Sequence, residues 1–531
     1  MRSRRRGVKV RSWVGAVSLL AASLGLAVVR PTPATAAAIG GISTVGTITQ
    51  LSFGSASDQQ EDPAISGTRV VWTDNRQTSD IILYDLITNG PAQNLTNTPQ
   101  ENEFLEDING SHVVWTHQSS TQPGDIVLYD IESGVPNTIA SSGVGLSFVS
   151  PALSQRYAVF ARTTTQVDID GYDVLLGGAL PAQVTNDVAD QARPRESGDV
   201  IVYEDYNEPH GDIFGYHVST SGPRFAIATG AAAQTQADID GNRVVWVSST
   251  GPGTDQVMLQ DLSSGATTQL STVASSKRQP RVSGNWVVWA DDRNGPLDLY
   301  GYNLGTGKEV SLVTGDGYQF LADIDGNRIV YTDNSAGFEQ IFLLTLDTTP
   351  PVLHLPADIT TQATGPGGAR VTYSATATDD IDPAPGVSCT PPSSATFPRG
   401  TTTVSCTATD AAGNSSTERF RVTVTGLSSK LTANPAIAQV GPGTKVYFPN
   451  LTATLKDGAK GSPLSGRTIT FTVSGSAICA AATNSSGVAT CAGGSTNPKV
   501  VQARSYTASF AGDAGYDSST ASAGLIRVTS S

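Results

Sequence analysis

Charged residues recur at fixed distances before a repeated aromatic residue. The aromatic ends motifs such as RVVW and occupies seven positions, Trp72, Trp115, Phe160, Tyr203, Trp246, Trp289 and Tyr331. Eight residues before it lie Asp107, Arg195, Asp238, Arg281 and Asp323, and ten residues before it lie Asp62 and Arg193. Charges at equivalent places in successive units either bind a ligand of complementary charge or pair with one another. These seven residues are the candidate ligand-binding set.

A second candidate is the segment VDIDGYD, which places Asp168, Asp170 and Asp173 around a glycine. Three carboxylates at this spacing suit a Ca²⁺ loop, although the later bidentate glutamate of an EF-hand is missing. Ca²⁺ is therefore the one cofactor that the sequence suggests.

Catalytic motifs of the forms GxSxG, HExxH, Walker A and GxGxxG do not occur in the sequence. The loop YNEPHGD holds Glu208, His210 and Asp212, a set that suits a metal or acid–base site. Asp212, however, matches a strand-start residue of other repeats, such as Asp80, and this structural interpretation is preferred. We assign no residue a catalytic role.

These candidates belong to seven repeats, whose aromatic residues are 42 to 45 positions apart. Six repeats carry glycine five residues before the aromatic, at Gly67, Gly110, Gly198, Gly241, Gly284 and Gly326, and the third has Gln155. A glycine at this offset predicts a turn with positive φ between two strands. A second apolar run such as DIILYDL follows, and then a shorter one such as AQNLTN from Ala92 or AQVTND from Ala182. Four strands in about 43 residues predict the blade of a β-propeller.

The two ends of the repeat region complete one another. The last repeat ends at LLTLDTTPP without a fourth strand, whereas TITQLS from Thr47 is a fourth strand without a preceding repeat. We expect this segment to complete the last of seven blades, because closing the ring removes a free sheet edge. The channel of such a ring would hold the charged residues, and its mouth is a common ligand site.

The repeat pattern, as in ISGTRVVWTDN, resembles TolB-like and related bacterial cell-surface β-propeller repeats from Thr47 to Asp347. The resemblance implies the propeller fold. It leaves function open, because propellers of this kind include binding domains, covers over hydrolase sites and some lyases.

Residues 1–38 read as a secretory signal peptide, with a basic start, the apolar run WVGAVSLLAASLGLAVV and the small residues ATAAA. SRRRGVK partly resembles a twin-arginine motif, so both Sec and twin-arginine export stay open. No second apolar run of that length follows, and a membrane span is therefore not expected. We expect a secreted, extracellular protein.

The four cysteines are Cys389, Cys406, Cys479 and Cys491. Export to an oxidising compartment and an even count predict two local disulfides within two C-terminal segments. Loops of 17 and 12 residues should each contribute about 3 kcal/mol in the chain-entropy model. A metal site is the alternative, but no CxxC pair or histidine partner lies nearby.

Two segments after the Pro350–Pro351 joint resemble extracellular modules. FPRGTTTVSC and TATDAAGN resemble the HYR (hyalin repeat) domain, an Ig-like β-sandwich associated with adhesion. PLSGRTITFTV, TNSSGVATC and YTASFAGDAGYDSS resemble a bacterial Ig-like domain, which typically serves as a spacer or stalk. The predicted organisation is a signal peptide at 1–38, a propeller at 39–347, an HYR domain at 348–426 and an Ig-like domain at 427–531.

The formal net charge is −14, and the leader holds seven basic residues and no acidic ones, so the mature charge is about −21. An acidic surface repels phosphate backbones, which excludes nucleic acid as a partner. The sequence therefore predicts an all-β, monomeric, non-catalytic recognition or adhesion protein that binds an extracellular protein or glycan. The alternative is a carbohydrate-active lyase or hydrolase with its site at the channel mouth.

Overall fold

A computed structural model describes residues 41, 43–53, 59–76, 78–180, 183–207, 210–365, 367–441 and 445–529. The predicted signal peptide lies outside these residues, as does Glu208. The chain divides into one unit up to Thr349 with Ala411–Asn414, and a second unit of Pro350–Asp410 with Ser415–Ser531. Among the described residues, none of the helices has the length and apolar character that a membrane crossing requires.

The first unit is a seven-bladed β-propeller in which each blade is a four-stranded antiparallel sheet. The N-terminal strand is β1 Gly46–Gln50; the first blade has β2 Gln59–Ser66, β3 Arg69–Asn75, β4 Ser79–Asp85 and β5 Gln93–Asn94; the second has β6 Asn102–Asn109, β7 His112–Gln118, β8 Asp125–Asp130 and β9 Val135–Ala140. The third blade has β10 Ser147–Leu153, β11 Tyr157–Thr163, β12 Val167–Asp173 and β13 Gly178–Ala179; the fourth has β14 Gln191–Ser197, β15 Val200–Asp205, β16 Asp212–His217 and β17 Phe225–Ala228; the fifth has β18 Ala233–Asp240, β19 Arg243–Ser249, β20 Gln256–Asp261 and β21 Ala266–Gln269. The sixth blade has β22 Lys277–Ser283, β23 Trp286–Asp291, β24 Asp298–Asn303 and β25 Lys308–Val313, and the seventh has β26 Gln319–Asp325, β27 Arg328–Asp333 and β28 Gln340–Leu346.

The N-terminal strand completes the seventh blade, as the sequence predicts. β1 pairs with β28 in antiparallel register, with Ile48 opposite Leu344 and Gln50 opposite Phe342. The seventh sheet therefore has the order β1-β28-β27-β26. This pairing covers the edge of β28 that would otherwise be open to another chain.

The repeated aromatic holds neighbouring blades together. All seven aromatic residues are buried, and each packs against the apolar strands of the preceding blade. Trp115 of the second blade, for example, contacts the cluster of Val71, Ile81 and Leu83 in the first. The repeated motif therefore packs each sheet on the next, and this structural role explains why it occurs seven times.

The turn glycines have the backbone conformation that their spacing predicts. The six glycines have φ between +54° and +62°, in the left-handed region that a Cβ disfavours. Their N–H groups also join blades, since Ser66 accepts from Gly110 and Ser283 accepts from Gly326, both at 3.0 Å. One expectation fails: the fourth strand of the third blade is Gly178–Ala179 rather than AQVTND, whose residue 182 lies outside the described residues.

Each inner strand, the first strand of its blade, carries a β-bulge. The register with the second strand shifts once in every blade, as between Glu61 and Ala64 in the first. In each case the residue ten positions before the aromatic has φ between +50° and +58° and is not glycine: Asp62, Leu105, Ser150, Arg193, Gln236, Gln279 and Leu321. A bulge redirects side chains, and here it does so at the same depth in all seven blades.

The second unit consists of further β-sheets. Its elements are β29 Val352–His354, β30 Ile359–Gln362, β31 Ala369–Arg370, β32 Thr376–Thr378, β33 Gly386–Thr390, β34 Thr396–Phe397, β35 Gly400–Thr409 and β36 Ser415–Thr425, then β37 Ser429–Asn434, β38 Ala436–Val440, β39 Val446–Asp457, β40 Thr468–Val473, β41 Ser476–Ala482, β42 Val488–Ser495, α1 Pro498–Val501, β43 Ser505–Phe510 and β44 Ser519–Thr529. Separate cores lie around Phe397 and Phe420 in the first group and around Phe448 and Phe471 in the second.

Both predicted disulfides are present in the second unit. Cys389 and Cys406 lie directly opposite one another on β33 and β35 and are bonded. Cys479 on β41 is bonded to Cys491 on β42. Each bond therefore lies within one of the two groups of strands.

Candidate functional site in the propeller channel

The inner strands of the seven blades enclose a channel with a volume of about 1220 Å³. All seven candidate residues line it: Asp62, Asp107, Arg193, Arg195, Asp238, Arg281 and Asp323. We call the end at which the inner strands begin the mouth. From this end the channel presents two successive rings of side chains.

The bulge ring consists of the seven bulge residues, one from each blade, and all of them line the channel. Its members are unlike one another and include Asp62, Arg193, two leucines, two glutamines and a serine. Only the two charged members, Asp62 and Arg193, stand out in the sequence, because the other five carry no charge. The signal that would have found them is their shared offset of ten residues from the aromatic.

The waist ring lies two residues further along each strand, and its charged members are Asp107, Arg195, Asp238, Arg281 and Asp323. Its three aspartates join neighbouring blades. Asp107 accepts a hydrogen bond from the backbone N–H of Leu153 at 2.8 Å, and Asp238 accepts from that of Val282 at 2.8 Å. Asp323 accepts from Ile65 at 2.9 Å. The waist carboxylates thus have a structural use that does not require a ligand.

The waist arginines lie between these carboxylates. The Nε atoms of Arg195 and Arg281 are 3.9 Å and 3.8 Å from Asp238 and Asp323, respectively. Of the two alternatives drawn from the sequence, mutual pairing therefore describes part of the waist. Because these pairs are long and partly enclosed, they leave the charges incompletely balanced.

Burial changes the ionisation of the waist. Burial raises the pKa of Asp323 to about 7, against the opposing effect of Arg281. The pKa values of Asp107 and Asp238 are also raised by burial, while burial and then the charge of Arg281 lower the pKa of Arg195. Asp323 is therefore only partly ionised near neutral pH.

The mouth has an acidic side, formed by Glu61, Asp62, Glu106 and Glu339 from the first, second and seventh blades. Burial and then the charge of Glu61 raise the pKa of Glu339 to about 7. Burial and then Asp62 raise the pKa of Glu106 well above its usual range. One oxygen of Glu106, Oε1, is buried without a hydrogen-bond partner among the described residues.

Other parts of the mouth carry arginine and tyrosine. Arg193 lies 3.3 Å from the buried carboxylate of Glu204, which also accepts a hydrogen bond from the Tyr206 hydroxyl. Arg278 is exposed, and its side chain has no hydrogen bond or ion pair among the described residues. Tyr206 and Tyr318 are 40% and 44% exposed, respectively, which leaves ring surface open at the mouth. Tyr206 begins the YNEPHGD loop noted in the sequence, whereas no sequence pattern marks Tyr318.

Glu196 departs from its repeat. Seven residues before the aromatic, the other six blades have Ile65, Ile108, Leu153, Ile239, Val282 and Ile324. Neither oxygen of Glu196 has a hydrogen-bond partner within normal geometry in the described part of the chain. Burial and then the charge of Asp107 raise its pKa well above the usual range, and Arg195 and Ser154 only partly oppose this. Alignment of the repeats at this offset would have revealed it.

Behind the channel, a polar pair recurs across the first two strands of most blades. The residue twelve positions before the aromatic faces the residue two positions after it, as in Gln60–Asp74 at 3.5 Å, Gln191–Asp205 at 3.2 Å, Gln319–Asp333 at 2.9 Å and Lys277–Asp291 at 3.6 Å. The aspartates also cap turns, since Asp205 and Asp291 accept N–H groups two residues ahead. The second blade reverses the pair, with Glu103 accepting and His117 donating at 2.9 Å.

The predicted Ca²⁺ loop is a strand. Asp168, Asp170 and Asp173 lie in β12, where alternation puts the first two on one face and the third on the other. Arg162 contacts both Asp168 and Asp170, at 2.9 and 3.1 Å, whereas Asp173 pairs with Arg156. The structure therefore does not gather the three carboxylates around one point.

The YNEPHGD loop is described only in part, because Glu208 lies outside the described residues. Asp212 begins β16, as the repeat predicts, and its side chain accepts from the Gly230 N–H at 3.2 Å. The Nδ1 atom of His210 is buried without a hydrogen-bond partner in the described structure.

Several solved propellers share this fold at low sequence identity. An oligogalacturonate lyase in complex with manganese is 12% identical, with a TM-score of 0.48 over 59% of this chain and 97% of its own. The propeller domain of the trilobed protease from Pyrococcus furiosus is 13% identical, with a TM-score of 0.45 over 55% and 94%. TolB from Acinetobacter baumannii is 16% identical, with a TM-score of 0.36 over 48% and 66%.

At these identities the likeness concerns the fold alone. No curated relative matches the sequence. Residues 346–424, most of which lie in the second unit, match the HYR domain family. An HYR domain and two disulfides are typical of extracellular proteins, and this chain contains an HYR domain C-terminal to its propeller.

Proposed function

We propose that this is a secreted, non-catalytic recognition and adhesion protein, in which the channel mouth binds an extracellular protein or glycan. The HYR and Ig-like domains serve as its stalk. The observation that carries the proposal is the bulge ring, in which seven residues at one repeated position differ from blade to blade. A ligand without seven-fold symmetry requires such unlike groups around one opening.

The conformational free energy that the bulge residues cost supports a binding function at this position. A non-glycine residue with positive φ costs about 1 kcal/mol or more, and each of the seven blades has one that lines the channel. Six of the seven blades keep glycine at their turns, where only the shape matters. Repetition therefore maintains the scaffold, and variation is concentrated where side chains face the cavity.

The division between waist and mouth supports binding over reaction. Waist carboxylates such as Asp107 are engaged with backbone N–H groups of the next blade. At the mouth, Glu61 and Glu339 offer carboxyl oxygens, Arg278 offers positive charge, and Tyr206 and Tyr318 offer aromatic surface. This combination suits a polar ligand with groups of both charges, such as a protein loop or a charged glycan.

A carbohydrate-active enzyme is the second candidate, and one observation favours it. Asp323 and Glu339 have pKa values raised to about 7, which suits a general acid near neutral pH. Catalytic turnover of a glycan in the channel would therefore require proton transfer by these two groups. Binding of a ligand at the mouth would not.

The test is a glycan and protein array probed with the full secreted protein, alongside an assay for released reducing sugar and unsaturated products on each bound glycan. We expect binding without turnover, and binding that Arg278→Ser and Tyr318→Ser weaken at least tenfold. Lys308→Ser is the matched control, because Lys308 is exposed on the outer strand of the sixth blade. Turnover that Asp323→Asn abolishes would establish the enzyme instead, and equal binding by all variants would place the ligand site outside the mouth.

A further inference from the structure

We propose that Glu101, Glu103 and His117 of the second blade form a binding site for a divalent transition metal of the Zn²⁺ class. One ligand atom from each of the three residues lies within 4.8 Å of the other two. The site is separate from the channel lining and is argued independently of the proposed recognition function.

Strand geometry brings the three side chains together. Glu103 on β6 lies directly opposite His117 on β7, in the close cross-strand position where side chains meet. Glu101 lies one residue before β6, and its Oε2 is 4.0 Å from Nε2 of His117. The three side chains therefore converge beside the start of β6.

Comparison among the blades shows that this set departs from the scaffold. At these two offsets the first, fourth and seventh blades pair a glutamine donor with an aspartate acceptor. The second blade reverses the roles, so that the buried partner is the acceptor Glu103 and the outer partner is an imidazole. The reversal leaves a second ring nitrogen directed outward, which an aspartate at the same place does not offer.

The hydrogen bond to Glu103 prepares His117 as a ligand. With Nδ1 donating to Glu103 at 2.9 Å, the lone pair of Nε2 is free, and the ring orientation is fixed. This is the carboxylate–histidine arrangement found behind many protein-bound zinc ions. Glu103 is only 1% exposed, and Thr98 donates to it at 2.8 Å, so its position is held firmly.

Glu101 supplies the second ligand. Its Oε2 is 4.0 Å from Nε2 of His117, and zinc ligands at about 2.0–2.2 Å from the ion are roughly 3.4 Å apart in tetrahedral geometry. The Glu101 side chain is 39% exposed and can shift by this difference. Water or an oxygen of a bound partner completes the coordination, and the imidazole favours transition metals over Ca²⁺ or Mg²⁺.

The test is calorimetric titration of ZnCl₂ into the chelator-treated full-length protein, in a buffer that does not bind metal. We expect one equivalent of Zn²⁺ that depends on His117, with Ca²⁺ binding at least tenfold weaker. The decisive variant is the double substitution Glu103→Gln/His117→Asp, which rebuilds the pair of the other blades and should fold normally while losing at least tenfold in affinity. Glu103→Gln alone should cost about 10- to 100-fold.

His112→Ala is the matched control, because His112 begins the same strand and pairs with Asp130 at 3.3 Å, away from Glu101. It should leave the affinity unchanged. Absence of Zn²⁺ binding by the unsubstituted protein, or equal affinity in the rebuilt double variant, would overturn the proposal.

Discussion

The Asp323 carboxylate accepts the backbone N–H of Ile65 at 2.9 Å and so joins the last blade to the first across 258 residues of chain. The same contact recurs between Asp107 and Leu153 and between Asp238 and Val282. The waist ring, whose charges suggest a ligand site in the sequence, therefore also holds neighbouring blades together.

Replacing Asp323 by asparagine should flatten the dependence of stability on pH. The folded-state pKa of about 7 exceeds the unfolded value of about 3.9, so the folded state binds more protons between these values. The contribution of Asp323 to stability is complete below about pH 4 and is lost as the pH rises to about 7. Asparagine keeps an acceptor for Ile65 without titrating.

Urea unfolding at several pH values between 4 and 8 measures the effect. We expect a less steep fall in the free energy of unfolding for Asp323→Asn than for the unsubstituted protein. Asp240→Asn is the control, because Asp240 makes a similar contact with the Gly284 N–H at 2.7 Å. Parallel pH profiles for Asp323→Asn and the unsubstituted protein would show that the carboxyl does not titrate as described.

Replacing Gly46 by valine should loosen the closing strand. A Cβ at Gly46 would lie 2.3 Å from the carbonyl oxygen of Thr345 and 2.9 Å from the Leu346 backbone, so β1 would have to move away from β28. Overpacking of this kind costs about 1–3 kcal/mol. The measurement is the urea midpoint of the propeller, together with protease cleavage near residue 46. Gly143→Ala should change neither, because a Cβ there meets no atom within 4 Å.

Replacing Glu196 by leucine should stabilise the propeller. The other six blades have an aliphatic residue at this offset, and both oxygens of Glu196 are buried without a hydrogen bond of normal geometry in the described structure, so Ser154 and Arg195 compensate its burial only in part. Removing this poorly compensated buried carboxyl should raise the free energy of unfolding by about 1–3 kcal/mol. Thermal and urea unfolding at pH 7.5 measure this, with Glu132→Leu on the surface as control. A lower melting temperature for Glu196→Leu would indicate that the carboxyl has a stabilising partner.

Removing the Cys389–Cys406 bond should destabilise the HYR domain and leave the propeller unchanged. The bond closes a separation of 17 residues, and its loss by double alanine substitution should cost about 3 kcal/mol. Calorimetric scanning of the full chain separates the transitions of the two units. The Cys479→Ala/Cys491→Ala pair is the counterpart and should affect only the C-terminal strands. A shift of the propeller transition in either variant would contradict the assignment.

The architecture was predictable from the sequence because its signals are local and repeated. The offset between Gly67 and Trp72 identified turn and strand together, and the unmatched TITQLS segment identified the partner of β28. The charged channel residues were predictable for the same reason, because equivalent positions in a ring face the same way.

Other parts of the site depend on contacts that no spacing encodes. The left-handed bulge residues such as Leu105 carry no glycine to mark them. Asp168, Asp170 and Asp173 lie in a strand, which places Asp173 on the opposite face from Asp168 and Asp170, whereas a Ca²⁺ loop must turn all of them inward. The pairing of Glu103 with His117 follows from a strand register that becomes visible only when the blades are compared in three dimensions.

The position of β28 also bears on mechanical load. The chain leaves the ring at Leu346, and tension from the C-terminal modules would pull on a strand paired with β27 on one side and β1 on the other. Two hydrogen-bonded ladders must then rupture together, whereas a strand at an open border could be peeled away one bond at a time. The returning N-terminal segment thus gives the strand at the exit from the ring two hydrogen-bonded neighbours in place of one.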